Sequence, residues 1–264
     1  MEQAAIAIVG ASGYSGEELL RLLQVHPSVT IACVTSRQYA GQPVGRAFPR
    51  FAESELSFVA PEVERVAAAA NLVFLALPHG LAAEYAVPLL AKGCRVVDIS
   101  ADFRLRDPRV YEAYYQTAHP APQLLTQAVY GLPERYRTQL SRARLVACPG
   151  CYPTSIILPL APLLAAGLVQ ARGLAAASLS GVTGAGRKVD LPYIFPECNE
   201  SLRPYKVTGH RHLPEIEQEL AVAAGSDTIA VSFVPHLVPV SRGIHSTILA
   251  TLEPGVTGDA IGAA

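Results

Sequence analysis

A cysteine at the entrance to a long apolar segment is the residue best placed for nucleophilic chemistry. Cys151 lies within residues 147–154, between a short apolar run and a long one. This position predicts the first turn of a helix, where N–H groups without helical partners and the helix dipole stabilise a thiolate. A thiolate can attack a carbonyl carbon and form a thioester. A buried, inert cysteine is the alternative interpretation of the same pattern.

Two histidines around an arginine form a second segment with chemical potential. His210, Arg211 and His212 come directly before a segment with a helical pattern. A histidine there can exchange protons near neutral pH, and the arginine suits an anionic substrate. A His-x-His pair can also bind a metal, but no third ligand stands at a recognisable spacing, so we expect no metal.

A glycine-rich turn after the first apolar run indicates a dinucleotide site. Glycine lets the backbone approach a pyrophosphate, and the N-terminus of the next helix attracts the anion. A tight turn without a ligand is the structural alternative. The residues that we assign to cofactor binding here are Gly10, Ser12, Gly13, Tyr14, Ser15 and Gly16.

The residues after the second predicted strand distinguish between the two nicotinamide cofactors. An NAD site usually has a carboxylate there, whereas this chain has Ser36 and Arg37. A hydroxyl and a guanidinium suit the 2′-phosphate of NADP, which we therefore predict as the cofactor. The alternative is that Arg37 lies on a solvated loop.

Two further loops follow predicted strands and add candidate binding groups. Pro78 and His79 stand at the carboxyl end of a strand, where we expect them to line the cofactor cleft. In the loop 181–188 we assign Gly181 and Gly184 to cofactor binding, and expect backbone N–H groups and Arg187 to hold a phosphate or carboxylate. A surface turn with solvated charges is the alternative.

The elements that position these residues follow from hydrophobic periodicity. Strand and helix patterns alternate in the first half, which predicts a parallel sheet with helices on both faces. After residue 150 we expect a strand at 173–180, and the segments 229–237 and 243–252 alternate in polarity as strands of a half-exposed antiparallel sheet do. We therefore expect an α/β protein with a doubly wound, Rossmann-type NADP domain over 1–150. An α+β substrate and oligomerisation domain with a mostly antiparallel sheet is expected over 151–264.

Two details of the second domain are also predicted. Pro159 and Pro162 argue for a kink or an early end of the helix over 155–164. Residues 254–264 look like the start of a helix that is not completed, so we expect this domain to be incomplete and the chain to be truncated at its C-terminus.

Composition argues against several classes of partner. The 21 basic and 22 acidic residues give a net charge of −1, and no basic block indicates nucleic acid. No apolar stretch approaches the roughly 20 residues that a membrane span needs. The cysteines are odd in number and scattered, which fits a reducing, cytoplasmic setting. The spacing of Cys148 and Cys151 leaves a thiol–disulfide redox pair as an alternative.

Together the motifs resemble the N-acetyl-gamma-glutamyl-phosphate reductase family of arginine biosynthesis. The resemblance implies NADPH-dependent reduction of that acyl phosphate to N-acetylglutamate 5-semialdehyde, with Cys151 as nucleophile and His210 as the acid/base. Arg104, Arg187 and His212 are candidates for contacts to the substrate's phosphate or carboxylate. The motifs that carry the resemblance lie at 10–16, 77–80, 98–105, 130–134, 149–154, 181–187 and 210–212.

The same resemblance implies a small-molecule acyl-phosphate substrate and a homodimer or homotetramer. Because family members are longer, it also implies an incomplete cofactor cleft. Two alternatives stay open at this point. One is the same chemistry on an aminoadipyl phosphate of lysine biosynthesis, and the other is a nucleotide-binding module without catalysis.

Overall fold

The computed structural model describes residues 3–263, and the chain divides into two compact units. Unit 1 comprises Met1–Pro108 and Ala118–Pro149, and unit 2 comprises Arg109–Thr117 and Gly150–Ala264. The predicted first domain includes the segment 109–117, whereas the structure groups it with unit 2. Packing accounts for the difference, because the Arg211 guanidinium lies over the Tyr115 ring, 5.4 Å from its centroid.

Unit 1 contains a seven-stranded sheet in which every pair of strands is parallel. The strand order is β3-β2-β1-β4-β5-β7-β6, so the order reverses beside β1, between β1 and β4. In a doubly wound sheet, ligands bind outside the carboxyl ends of the strands at this reversal. The strands are β1 Ala4–Val9, β2 Val29–Thr35, β3 Phe58–Val59, β4 Leu72–Leu75, β5 Arg95–Asp98, β6 Ala128–Tyr130 and β7 Leu145–Ala147.

Helices cover both faces of this sheet, as the alternating pattern predicts. Neighbouring residues of β1 point into two different cores: Ile8 packs with Leu20 and Phe58, whereas Val9 belongs to the cluster that contains Leu89. The Rossmann-type prediction is therefore confirmed. The strand β6 was not predicted, because residues 104–133 have the composition of a connection. The helices are α1 Tyr14–Leu23, α2 Val44–Ala47, α3 Val63–Ala69, α4 Ala82–Ala91 and α6 Pro133–Arg142, with α5 Pro108–Tyr115 at the crossing into unit 2.

Unit 2 contains a four-stranded mixed sheet in the order β11-β8-β10-β9. The outer pairs are antiparallel, as predicted, but β8 and β10 in the centre are parallel. The chain between those two strands includes a helix and other structure, and a parallel pair needs such a long crossover. The strands are β8 Leu174–Ser180, β9 Arg203–Pro204, β10 Val231–Leu237 and β11 Ile244–Leu249.

The helices of unit 2 include one that the sequence predicted to be kinked or cut short. This helix, α7, runs from Cys151 to Ala165 with Pro159 and Pro162 inside it. Burial of Ile156, Ile157 and Leu160 offsets the two lost backbone hydrogen bonds. The others are α8 Phe195–Cys198, α9 Leu213–Ala224 and α10 Gly258–Ala263. Within residues 3–263, every helix falls short of the length and apolarity needed to cross a membrane.

Candidate active site

The glycine-rich turn of unit 1 joins the carboxyl end of β1 to α1. Gly10 has φ of 81°, and a Cβ there would lie 2.5 Å from the Ala76 carbonyl oxygen, so only glycine fits. Gly13 is the N-cap of α1 and has no side chain to occupy the N–H groups of the first turn. These N–H groups, which belong to the predicted segment 14–16, point toward the position of an anion.

The predicted NADP-selective residues lie beside this turn. The Ser12 and Ser36 hydroxyls are 2.8 Å apart, and the Gly10 N–H donates to Thr35 Oγ1 at 3.2 Å. The exposed Arg37 donates from Nη2 to the Tyr85 hydroxyl at 3.2 Å. The structure therefore brings Ser12, Ser36 and Arg37 to one edge of the sheet. Tyr85 was missed, since it lies on α4 and no local pattern links it to Arg37.

The loop after β4 contains Pro78 and His79, and a side chain from another part of unit 1 keeps it in place. The N–H of Gly80 donates to Asp102 Oδ1 at 2.6 Å, and Asp102 is fully buried. Asp102 follows β5 and lies in the motif 98–105, but no role in the site was assigned to it from the sequence.

Unit 2 places Cys151 where the sequence predicts it, as the first residue of α7. The cysteine is exposed, and the N-cap before it is Gly150. The Gly150 N–H donates to Glu215 Oε1 at 2.8 Å, and Glu215 is 1 % exposed. A Cβ at Gly150 would lie 2.7 Å from His212 Nε2, so the imidazole rests on the turn before the cysteine. Glu215 was missed because it stands in the amphipathic pattern of α9.

Four aromatic rings lie close to the imidazole of His210. Its centroid is 5.4 Å from that of Tyr152, 5.6 Å from Tyr205, 5.4 Å from Phe233 and 4.9 Å from His212. Burial, together with the nearby cations of Lys206 and Arg211, lowers the pKa of His210 to about 4. The two predicted histidines are thus brought together.

Hydrogen bonding selects one tautomer of neutral His210. Its Nδ1 accepts the N–H of His212 at 3.1 Å, so the proton is assigned to Nε2. Neutral His210 is therefore a hydrogen-bond donor through Nε2, and its role as the acid/base stays a prediction.

The loop after β8 contains three of the predicted site residues, Gly181, Gly184 and Arg187. The N–H groups of residues 181–183 donate to the carbonyls of Gly243, Val240 and Ser241, and those of Gly184 and Gly186 donate within the loop. These N–H groups therefore donate to protein carbonyls in this structure, and the assignment of Gly181 and Gly184 to cofactor binding stays a prediction. Arg187 is exposed, and its anion contact stays a prediction.

Arg104 lies at the ends of β5 and β7. Its Nε donates to the Cys148 carbonyl at 2.7 Å and its Nη2 to the Ile99 carbonyl at 2.8 Å. These contacts give Arg104 a structural role, and its contact to substrate stays a prediction.

The second cysteine of the C-x-x-C spacing differs from the first. Burial, with the neighbouring Asp98, raises the pKa of Cys148 to about 11. Cys148 is therefore a thiol at neutral pH, which argues against a thiol–disulfide redox pair. Among the described residues, no group of three or more His, Cys, Asp or Glu side chains is arranged to hold a metal ion.

Family models match nearly the whole chain. Residues 5–143 match the NAD-binding domain of semialdehyde dehydrogenases, and residues 151–264 match their dimerisation domain. A curated N-acetyl-gamma-glutamyl-phosphate reductase of Akkermansia muciniphila is 55 % identical over 99 % of this chain and 76 % of its own length. The corresponding protein of Syntrophobacter fumaroxidans is 52 % identical over 98 % of this chain and 75 % of its own length.

This chain belongs to the N-acetyl-gamma-glutamyl-phosphate reductase family.

Membership of this reductase family makes the chain an oxidoreductase with a nicotinamide-binding first unit. Solved structures of more distant semialdehyde dehydrogenases show the same fold. Aspartate semialdehyde dehydrogenase II of Vibrio cholerae has a TM-score of 0.74 at 16 % identity, with 100 % of this chain and 78 % of that chain covered. The enzyme of Candida albicans, solved with NADP, has a TM-score of 0.71 at 16 % identity, with 99 % and 75 % covered.

Proposed function

We propose that this reductase converts N-acetyl-gamma-glutamyl phosphate to N-acetylglutamate 5-semialdehyde and phosphate, with Cys151 as the nucleophile. The observation that carries the proposal is the exposed cysteine at the first residue of α7. The N–H groups and dipole of that helix favour its thiolate. The family relatives carry the name of this reaction.

The cofactor is NADP. The turn at 10–16 fits its pyrophosphate, since Gly10 and Gly13 leave room for backbone approach at the N-terminus of α1. Ser36 and Arg37 follow β2 in place of a carboxylate that would repel the 2′-phosphate. When bound, NADPH supplies the hydride that reduces a thioester carbon.

The chain's own residues carry the remaining steps. Cys151 Sγ attacks the carbonyl carbon of the acyl phosphate, a C–S bond forms, and the C–O bond to phosphate breaks as phosphate leaves. After hydride addition, the tetrahedral oxyanion re-forms its carbonyl, the C–S bond breaks, and Cys151 leaves as a thiolate. The thioester carbon accepts hydride more readily than a carboxylate carbon does, because sulfur donates little electron density to the carbonyl and the group carries no negative charge.

We assign His210 the stabilisation of the oxyanion. Its lowered pKa keeps the ring neutral at pH 7, and its Nδ1 lone pair is already bonded to the His212 N–H. The Nε2–H is then the group that can donate to negative charge on the substrate oxygen. Arg187 and His212 are proposed to contact the substrate phosphate or carboxylate.

The test is the reverse reaction, the NADP- and phosphate-dependent oxidation of N-acetylglutamate 5-semialdehyde, followed through NADPH absorbance. Cys151→Ala should lower the rate by at least about a thousandfold. The matched control, Cys148→Ser, should stay within about threefold, because the half-buried Cys148 is protonated at neutral pH.

Two outcomes would contradict the proposal in different ways. Full activity of Cys151→Ala would remove the thioester mechanism. Preference for the one-carbon-longer aminoadipate semialdehyde would overturn the substrate and leave the mechanism standing. No activity of the wild-type chain, together with no NADP binding, would contradict both parts.

We further propose that the enzyme acts in the cytoplasm as a homodimer, or as a homotetramer of two dimers. The match of residues 151–264 to a dimerisation domain supports assembly through unit 2. The balanced charge gives no basis for a nucleic-acid partner. Assignment of cofactor binding to 1–150 and of catalysis, substrate binding and oligomerisation to 151–264 is part of this proposal.

A further inference from the structure

The loop after β4 is held by a carboxylate from a different part of unit 1. Asp102 Oδ1 accepts the Gly80 N–H at 2.6 Å, and Oδ2 accepts those of Ala82 and Ala83 at 3.0 and 3.3 Å. These three donors include the first N–H groups of α4, which a negative charge stabilises. Asp102 therefore fixes both the end of the loop and the start of the helix.

Asp102 is itself held rigidly. It is 0 % exposed, and its N–H donates to Ser100 Oγ at 3.1 Å. The Asp102 carbonyl lies 2.5 Å from His119 Nε2. Since His119 Nδ1 accepts the Ala121 N–H, the Nε2 atom is the donor in that contact. Fixed contacts on its backbone leave the Asp102 side chain little freedom.

The loop that Asp102 holds lies at the reversal of strand order. It follows β4, and the glycine-rich turn follows β1, the strand that pairs with β4. The two segments touch: a Cβ at Gly10 would lie 2.5 Å from Ala76 O and 2.9 Å from Leu77 Cδ2. Any shift of residues 77–80 therefore changes the space beside the pyrophosphate turn.

We propose that Asp102 is a positioning residue of the NADP site, which holds the segment 77–83 in the conformation that binds the dinucleotide. The inference rests on the proposed function for the identity of the ligand. Asp102 acts through the N–H groups of Gly80, Ala82 and Ala83, which donate to its carboxylate. Its loss should weaken cofactor binding and leave the thiol chemistry of unit 2 unchanged.

The test uses Asp102→Asn in the full chain. The amide retains one acceptor oxygen but places an NH₂ group against backbone donors, so the loop should loosen. We expect the dissociation constant of NADP⁺, measured by calorimetry, to rise about tenfold. Amide hydrogen exchange in the segment 77–83 should quicken, and the rate of Cys151 alkylation by iodoacetamide should stay within about twofold.

Asp98→Asn is the matched control. Asp98 is also 0 % exposed and bonds to Ser100, but its carboxylate accepts from Ser100 and not from the loop. A purely structural effect of losing a buried carboxylate would appear in both variants as a lower Tm. Weaker NADP⁺ binding and faster exchange at 77–83 should be clearly larger in Asp102→Asn than in Asp98→Asn, whose side chain reaches Asp102 only through Ser100.

Wild-type affinity in folded Asp102→Asn, or equal weakening in Asp98→Asn, would overturn the proposal. If Asp102→Asn does not fold, Ser100→Ala replaces it and should weaken NADP⁺ binding about threefold, because it removes the acceptor of the Asp102 N–H. Unchanged binding in that variant would also overturn it. Failure of the wild-type chain to bind NADP⁺ would contradict the proposed function, and hydrogen exchange at 77–83 would still decide whether Asp102 fixes the loop.

Discussion

Residues of the same type have different chemistry in this chain because their surroundings differ. Cys148 and Cys151 are three positions apart, yet burial raises the pKa of the first to about 11 and the second is exposed at a helix N-terminus. Burial has the same effect on a carboxyl group, since it raises the pKa of Asp98 to about 7. Residue type therefore identified the candidates, and environment decides which of them react.

His210 should make the stability of the protein depend on pH. The pKa of His210 is lowered to about 4 in the folded chain, against 6.5 for an ordinary histidine. Between these values the unfolded chain binds the extra proton, so the free energy of unfolding falls as pH drops from about 6.5 to 4. The slope from this residue is at most about 1.4 kcal/mol per pH unit, the value for one proton.

Replacing His210 shows how much of the pH dependence of stability comes from this residue. In His210→Asn, the amide oxygen can replace Nδ1 as the hydrogen-bond acceptor. The pH dependence of the free energy of unfolding that comes from His210 should therefore vanish. Urea unfolding between pH 4 and 7 measures this. His245→Asn, at an exposed position of β11, should keep the wild-type slope. A wild-type slope in His210→Asn would mean that the imidazole titrates normally in the folded chain.

At the scale of elements, the turn before α7 connects the nucleophile to α9. Gly150 donates to Glu215 and supports the His212 ring, and both partners come from the start of α9 or the residue before it. In Gly150→Ala the new methyl group would overlap the imidazole, whose nearest atom is 2.7 Å from the Cβ position. The ring or the turn must then move, and we expect kcat to fall about a hundredfold.

Gly209→Ala is the control for this element. Gly209 lies on the adjacent loop, and a Cβ there meets nothing within 4 Å. Its kcat should match the wild type, and both variants should bind NADP⁺ normally, since the change lies in unit 2. Normal turnover in Gly150→Ala would show that the position of His212 against the turn does not matter for the reaction.

The same elements show how far the sequence could predict the structure. Local patterns identified the glycine-rich turn, Cys151 at a helix start and the two histidines, because each signal lies within a few residues. Glu215 and Gly150 are 65 positions apart, and Asp102 and Gly80 are 22 apart, so neither pair leaves a local signal. The continuation of α7 past Pro159 also left no local signal, since tertiary burial decides it.

At the scale of the whole molecule, the order of elements predicted a parallel sheet followed by a second sheet of another kind. Alternating strands and helices predict the parallel sheet, and the change of pattern after residue 150 predicts a second sheet. The parallel pairing of β8 and β10 and the return of residues 109–117 to unit 2 depend on contacts between distant segments. Contacts between distant segments leave no periodic pattern in the sequence, so the sequence does not predict them.

The exposed apolar side chains of unit 2 lead to a prediction about assembly. Val189, Leu191, Tyr193, Phe195 and Leu202 lie close together in sequence, and Phe195 is 74 % exposed. Exposed apolar side chains that form one patch mark an interaction surface, and the match to a dimerisation domain supports the prediction that a second copy of the chain covers them.

Introducing negative charges among these exposed apolar residues should therefore dissociate the dimer. The double variant Leu191→Glu and Phe195→Glu should raise the dimer dissociation constant at least about a hundredfold, because it buries two carboxylates without partners in the contact. Sedimentation velocity over a range of concentrations measures this. Val25→Glu introduces the same charge at an 81 % exposed position of unit 1 and should leave the dimer intact. A dimer equally stable in the double variant would place the contact on another surface of unit 2, such as the outer face of its sheet, where Leu249 is 67 % exposed.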